Sequence, residues 1–313
     1  MHPAAGRDEE VGLSKAFNIS LEGLKDQVNL YSYLMIKGTG LIYFRIKEDL
    51  ETRERRDVRR KGKREHVELK ERLLREVSLK AKPVFNSLLG QINTYLDNIR
   101  EALRSNGYRV KRCIIKSRYR VVAGTGEPAG KIPFEVGVFL DPLLGIPYIP
   151  GSSLKGAFRH ALEELVQHGN IMPELKDERL PSLLFGSEGS MGLVGITDAY
   201  PIRHDRERLL EPDVITPHYP GARDELEAQP NPVTFLSIAP GVEFEFYIYY
   251  KPEVSKYTLE GDLASIAARE DAQRVLEMLK PLDMAVLYAL SRGVGAKTSA
   301  GYSRFDLVAY RDA

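Results

Sequence analysis

The stretch Ile149-Pro-Gly-Ser-Ser-Leu-Lys-Gly-Ala-Phe-Arg159 marks the passage from an irregular loop into a helix. From Leu154 onward, Leu154, Ala157, Phe158, Ala161, Leu162 and Leu165 recur at three and four, the spacing of one apolar helix face. Ser152 or Ser153 can cap the first turn by accepting a hydrogen bond from a free backbone N–H. Lys155 and Arg159 lie four apart, off that stripe and within the first two turns, so the helix start carries two cations on one side. Arg159 also has Glu163 four residues on, the spacing of an ordinary helix ion pair. The segment therefore reads either as a capped, ion-paired helix start or as a cationic surface offered to an anion.

Upstream, Cys113 to Val122 (CIIKSRYRVV) alternates as a strand. Cys113, Ile115, Tyr119 and Val121 fall on one face, and Lys116, Arg118 and Arg120 on the other. Three cations on one face repel one another unless water or an anion screens them, which makes Arg118 and Arg120 candidate phosphate contacts. A turn (AGTGEPAGK) leads to a second expected strand around Phe134 to Leu140. Before these strands, Phe85, Leu88, Leu89, Ile92, Leu96, Ile99 and Leu103 describe an amphipathic helix of about five turns that ends near Asn106-Gly107. Residues 47–82 carry 14 basic and 9 acidic side chains and few apolar ones. Arg53, Arg55, Arg56, Arg59, Arg60, Lys61, Lys63 and Arg64 crowd its first half, which is either a solvated segment or a phosphate-binding arm.

Downstream, residues 181–200 read as a Gly-rich loop and a short strand, and 201–232 as a Pro-rich insertion with little periodicity. Strands follow at Thr234–Ile238 and Val242–Tyr250, the second alternating Val242, Phe244, Phe246 and Ile248 with Glu243, Glu245, Tyr247 and Tyr249. A helical region over 271–291, restarted at Pro281, runs into Gly293-Val-Gly-Ala-Lys-Thr-Ser-Ala-Gly301. Tyr302–Tyr310 closes the chain as a strand. Helices and strands interleave, which predicts an α+β or α/β protein. The expected division is an N-terminal region over 1–110, with the basic arm and the amphipathic helix, and a core over 111–313.

The 313 residues are 43% hydrophobic, enough for a packed core, and no run reaches the roughly 18 apolar residues of a membrane helix. Cys113 is the only cysteine, so intrachain disulfides and Cys-based zinc sites are excluded, and a soluble cytoplasmic protein is expected. Residues 1–112 carry 24 Lys+Arg against 16 Asp+Glu, a net +8, whereas 113–313 are net −7. A basic front half points to an anionic partner or to a solvated helix face.

Few residues suit catalysis. The loop at 293–301 is not a nucleotide P-loop: Ala296 stands where the glycine before Lys297 is required, and the loop follows a helix and opens a strand. A Gly-rich loop with Lys297 and Thr298 can still let a polymer backbone approach closely and donate to phosphates, or those two residues only stabilise the turn. The six histidines (2, 66, 160, 168, 204 and 218) show no metal-ligand spacing, so neither metal nor cofactor is expected. His218, in Asp213-Val-Ile-Thr-Pro-His-Tyr219 of the Pro-rich stretch, reads first as a hydrogen-bonded loop histidine and second as a candidate general base.

Four segments in order resemble a known family. Ile149–Arg159 looks like the signature of the repeat-associated mysterious proteins (RAMPs) of CRISPR systems, and Phe185-Gly-Ser with Gly195-Ile-Thr-Asp-Ala199 resembles their second segment. Asp213–Tyr219 with Pro230-Asn-Pro-Val-Thr-Phe-Leu236, and Gly293–Tyr302, are similar to the branch that supplies the sixth subunit of type III-B (Cmr) effectors. Ser303 stands where these loops more often carry glycine. The resemblance spans about 130–305. It implies a ferredoxin-like (RRM-like) core with long insertions, 201–232 being a candidate thumb. It also implies a non-catalytic, RNA-binding subunit near the 3′ end of the guide CRISPR RNA, capping a filament of backbone subunits that engages target RNA. By the same resemblance Ser152, Ser153, Lys155, Arg159, Gly293, Gly295, Lys297 and Thr298 would face guide phosphates; Arg118 and Arg120 join them from the strand pattern alone. The alternatives are a guide-processing endoribonuclease using His218, a target-cleaving backbone subunit using Asp198 or Asp213, and a scaffold that never touches RNA.

Overall fold

The computed structural model describes residues 56–123, 138–168, 177–215 and 233–313. Arg53, Arg55, the 124–131 turn, the expected strand residues 134–137 and His218 lie outside them. In chain order the elements are α1 (Arg56–Ser105), β1 (Arg109–Ser117), β2 (Phe139–Leu140), β3 (Pro147–Tyr148), α2 (Gly151–His168) and α3 (Leu180–Phe185). There follow β4 (Gly186–Ser187), β5 (Ser190–Met191), β6 (Val194–Ile196), β7 (Tyr200–His204), β8 (Leu210–Ile215), β9 (Val233–Ile238) and β10 (Val242–Tyr250). Helices α4 (Leu263–Ala267), α5 (Ala272–Met278) and α6 (Pro281–Arg292) and strand β11 (Phe305–Asp312) complete the chain.

Strand β10 organises the main sheet. It pairs antiparallel with β1 along one edge and with β6 and β7 along the other, and β11 joins β1, giving the order β11-β1-β10-β6 with β7 beside β10. Its even-numbered side chains, Val242 to Ile248, are fully buried. They lie on the face where the ring of Phe158 in α2 meets Phe246 at 6.3 Å, and α2 packs beside α6. Cys113 and Ile115 of β1 stand opposite Phe246 and Phe244 and complete that layer. Burial pushes the Cys113 thiol well above its usual pKa and leaves it inert.

The other face lies under α1, which packs on β1, β7, β8, β9 and β10. Here alternation puts polar groups in the interior, and they pair. Glu245 accepts two bonds from the Arg112 guanidinium (2.8 and 2.6 Å) and one from the Tyr247 hydroxyl (2.8 Å). Ser78 of α1 donates to the Leu210 carbonyl at 2.5 Å and ties the helix to β8, which forms a separate hairpin with β9.

The structure corrects several expectations. Helix α1 begins inside the basic segment and runs unbroken through Pro83, because Leu73, Leu74, Val77 and Ala81 form an apolar stripe that joins the core. Strand β1 ends at Ser117, so Arg118–Arg120 are not strand, and Tyr119 is 55% exposed rather than inward. Part of the supposed insertion is ordered as β7 and β8; residues 216–232 lie outside the described residues.

One buried carboxylate holds α6 and β11 together. Asp283 accepts from the hydroxyls of Thr258 and Tyr310 (both 2.6 Å) and from the N–H groups of Leu259 (2.7 Å) and Lys280 (3.0 Å). Asp283→Ala removes the shared acceptor of four buried or half-buried donors, of which the Thr258 and Tyr310 hydroxyls, 3.0 Å apart, can still bond to each other. It is expected to lower stability by about 3–5 kcal/mol, read as a lower urea midpoint at unchanged slope.

Candidate nucleic-acid interface

The loop after α6 is built by glycines for steric reasons. Gly293 and Gly295 have φ of 115° and 116°. A Cβ on Gly295 would lie 2.7 Å from the Val122 carbonyl oxygen, and one on Gly293 would lie 2.7 Å from Cγ2 of Thr298. That close approach lets the loop bond to 118–123 as though the strand continued. Ala296 N–H donates to Val122 O (2.9 Å), Ser303 N–H to Arg120 O (2.9 Å) and Arg118 N–H to Arg304 O (2.9 Å). Lys297 enters the left-handed region at φ 60° and opens the turn Thr298–Ala300. Ser303 is also left-handed, at φ 58°, a conformation glycine adopts freely. Its side chain has a task there, because Oγ accepts the Val122 N–H at 3.0 Å.

The candidate cations divide into two groups. Arg120 is held by Glu211 (3.0 Å) and Asp213 (2.9 Å), and Asp213 also accepts from the Tyr302 hydroxyl at 2.7 Å. Burial works against the Arg120 charge, but these carboxylates outweigh it and leave its pKa above the ordinary value. Arg118 pairs with Asp306, and Arg159 pairs with Glu163 at 2.8 Å. The anion screening the strand's cations is thus the protein's own carboxylate set, which the alternation pattern alone did not reveal. Lys155 and Lys297, by contrast, have no carboxylate partner among the described residues. Lys155 is half-buried, and that burial lowers its pKa, so an arriving anion would offset an existing desolvation cost.

The serines do not cap α2 as expected. The helix begins at Gly151, whose N–H donates 2.7 Å to Oδ1 of Asp198, so the cap is delivered from the segment after β6. Ser152 is exposed in the first turn, and Ser153 donates its N–H to Pro150 O at 2.9 Å. Asp198 and Asp213 both lie in the sequence signatures, but nothing local announces that one caps a helix and the other clamps an arginine.

The structure brings Arg118, Arg120, Gly293, Gly295, Lys297 and Thr298 together at one end of β1. Ser152, Ser153, Lys155 and Arg159 stand on α2. A backbone ladder connects the two groups: Val122 bonds the loop, Ala123 O accepts from Phe139 N–H (3.1 Å), Phe139 pairs with Tyr148, and Ile149 bridges to Ala199 beside Asp198.

Gly295→Ala is expected to cost about 2–4 kcal/mol in thermal or urea unfolding, and Gly301→Ala, at φ 89° in open space, about 1–2 kcal/mol. Equal losses would mean that the Val122 approach does not constrain the loop.

Comparison with known proteins agrees with this architecture. The RAMP superfamily model matches residues 114–306. The Cmr6 subunit of Saccharolobus solfataricus is 31% identical over 296 residues, covering 90% of this chain and 92% of the relative. Cmr6 of Pyrococcus furiosus is 26% identical over 249 residues, 60% of this chain and 65% of that protein. A chain in the cryo-EM structure of a type III-B Cmr-beta complex bound to cognate target RNA superposes with TM-score 0.65 at 29% identity, covering 96% of this chain and 98% of its own length. With the family model matching from β1 into β11 and one Cmr6 aligned over nine-tenths of both sequences, the chain belongs to the RAMP superfamily and to the Cmr6 family within it.

Proposed function

We propose that the chain is a non-catalytic RNA-binding subunit of a type III-B CRISPR complex, contacting guide RNA near its 3′ end and capping the backbone filament beside other Cmr subunits. The observation that carries this reading is electrostatic. In a region where neighbouring cations are matched by carboxylates, Lys155, in α2, and Lys297, in the glycine loop, have no carboxylate partner among the described residues. The superposition on a chain from an RNA-bound Cmr-beta complex supports the same assignment.

The order β11-β1-β10-β6, with α2 between β1 and β6 and α6 between β10 and β11, supports the ferredoxin-like reading of the core. In this chain α1 covers one sheet face and α2 with α6 the other, so the loops at the sheet ends are what remain for a nucleic-acid strand. Absence of catalysis is supported by the two candidate aspartates, since Asp198 is engaged at the α2 start and Asp213 by Arg120 and Tyr302. With Watson–Crick pairing reading the sequence, this subunit needs only the phosphate backbone.

In the assembled complex, a guide labelled at its 3′ end should crosslink to this chain, and Lys155→Glu/Lys297→Glu should abolish the crosslink. The same variant should flatten the log–log salt dependence of single-stranded RNA binding by about 1.4, at about 0.7 for each phosphate no longer neutralised. A crosslink that persists would move the strand elsewhere on the chain, and no crosslink in wild type would leave a scaffold role. Guide cleavage by the isolated protein, abolished in His218→Ala, would instead favour an endoribonuclease.

A further inference from the structure

A second cationic site lies on the opposite side of the sheet from α2 and α6. An open cavity of about 650 Å³ between the last turns of α1 and the ends of β1 and β11 is lined by Arg100, Arg104, Arg112 and Arg311, with Glu101 and Asp312 among the other lining residues. Arg112 and Arg311 are directly opposed partners across the β1–β11 pair. Like charges at such a position destabilise a sheet, and natural sequences break local rules of this kind chiefly at functional sites. Arg100 and Arg104, one helical turn apart on α1, add two more guanidinium groups to the same cavity.

The nearby carboxylates leave part of this charge unmatched. Glu245 is taken up by Arg112 and Tyr247, and Asp97 by Arg100 at 2.8 Å. Asp312, which also lines the cavity, pairs with buried Lys111 at 3.0 Å and accepts from Gly261 N–H at 2.7 Å. Arg104 and Arg311 form no ion pair among the described residues, Glu101 included. Arg112 and Arg100 are thus positioned by their own partners, while Arg104 and Arg311 have donors to spare. Guanidinium forks converging from three elements suit the geometry of a phosphate group, which accepts in pairs along each fork.

We infer that the cavity at Arg104 and Arg311 binds a phosphate group, from an RNA strand or from a free phosphate-bearing small molecule. The cavity lies near the Arg109 end of β1, away from the glycine loop at the Ser117 end, and the inference does not depend on the role proposed for Lys155 and Lys297.

The test is the melting temperature of the full chain in sodium phosphate against sodium chloride at matched ionic strength, for wild type, Arg311→Gln and Arg104→Gln. Wild type is expected to gain in phosphate, and both variants should lose that gain. In chloride, Arg311→Gln should melt no lower than wild type, because it removes the cross-strand repulsion. Anisotropy with a labelled 12-nucleotide single-stranded RNA separates the sources. Weakened binding by both variants, with phosphate as competitor, assigns the group to a nucleic-acid strand; unchanged RNA binding with the phosphate shift abolished assigns it to a small molecule. The inference is overturned by equal melting of wild type in the two salts, by a shift that survives in both variants, or by a lower melting temperature of Arg311→Gln in chloride. A gain with poly-glutamate and none with phosphate would give the surface to an acidic protein and overturn it as well.

Discussion

Burial of β10 on both faces is the constraint from which the rest of the structure follows. A strand that alternates Val, Phe, Phe and Ile with Glu, Glu, Tyr and Tyr would ordinarily lie half in water. Here α1 closes the second face, so the charged half of the alternation must be satisfied internally. Arg112 and Tyr247 satisfy Glu245, and Lys116 meets Glu243 at 3.5 Å and Asp205 at 3.1 Å. A sheet so enclosed offers little of its surface to a ligand, and the polar chemistry of the chain gathers where strands end and loops begin.

Much of this is legible in the sequence, and the failures have physical causes. The α2 stripe, the β10 alternation and the restart of α6 at Pro281 are local patterns, and the structure has them where periodicity places them. The start of α1 escapes such a reading because charge density conceals Leu73, Leu74, Val77 and Ala81, whose spacing is helical even among many lysines and arginines. The end of β1 escapes it because Arg118, Tyr119 and Arg120 continue an alternation that the backbone abandons in order to meet the glycine loop. Periodicity cannot see a partner about 180 residues away, the separation of Val122 and Ser303.

The candidate residues show the same division. That Gly293 and Gly295 must be glycine is a matter of backbone clearance and left-handed φ, and the motif conveys it. Whether an arginine is free or spoken for is a tertiary question. Arg118, Arg120 and Arg159 look no different in sequence from Lys155 and Lys297, yet the first three are matched by Asp306, by Glu211 with Asp213, and by Glu163. The helix cap from Asp198 is equally invisible, since 47 residues separate donor from acceptor.

The ladder through Val122, Ala123, Phe139, Tyr148, Ile149 and Ala199 has a consequence for how such a protein can diverge. The distance between the loop bearing Lys297 and the helix bearing Lys155 is set by peptide-to-peptide bonds, which any non-proline residue can supply. The span between two cationic points can therefore be inherited as a fixed measure while the side chains along it are replaced. Homologues at low identity would keep the same gauge between the points without keeping the same letters.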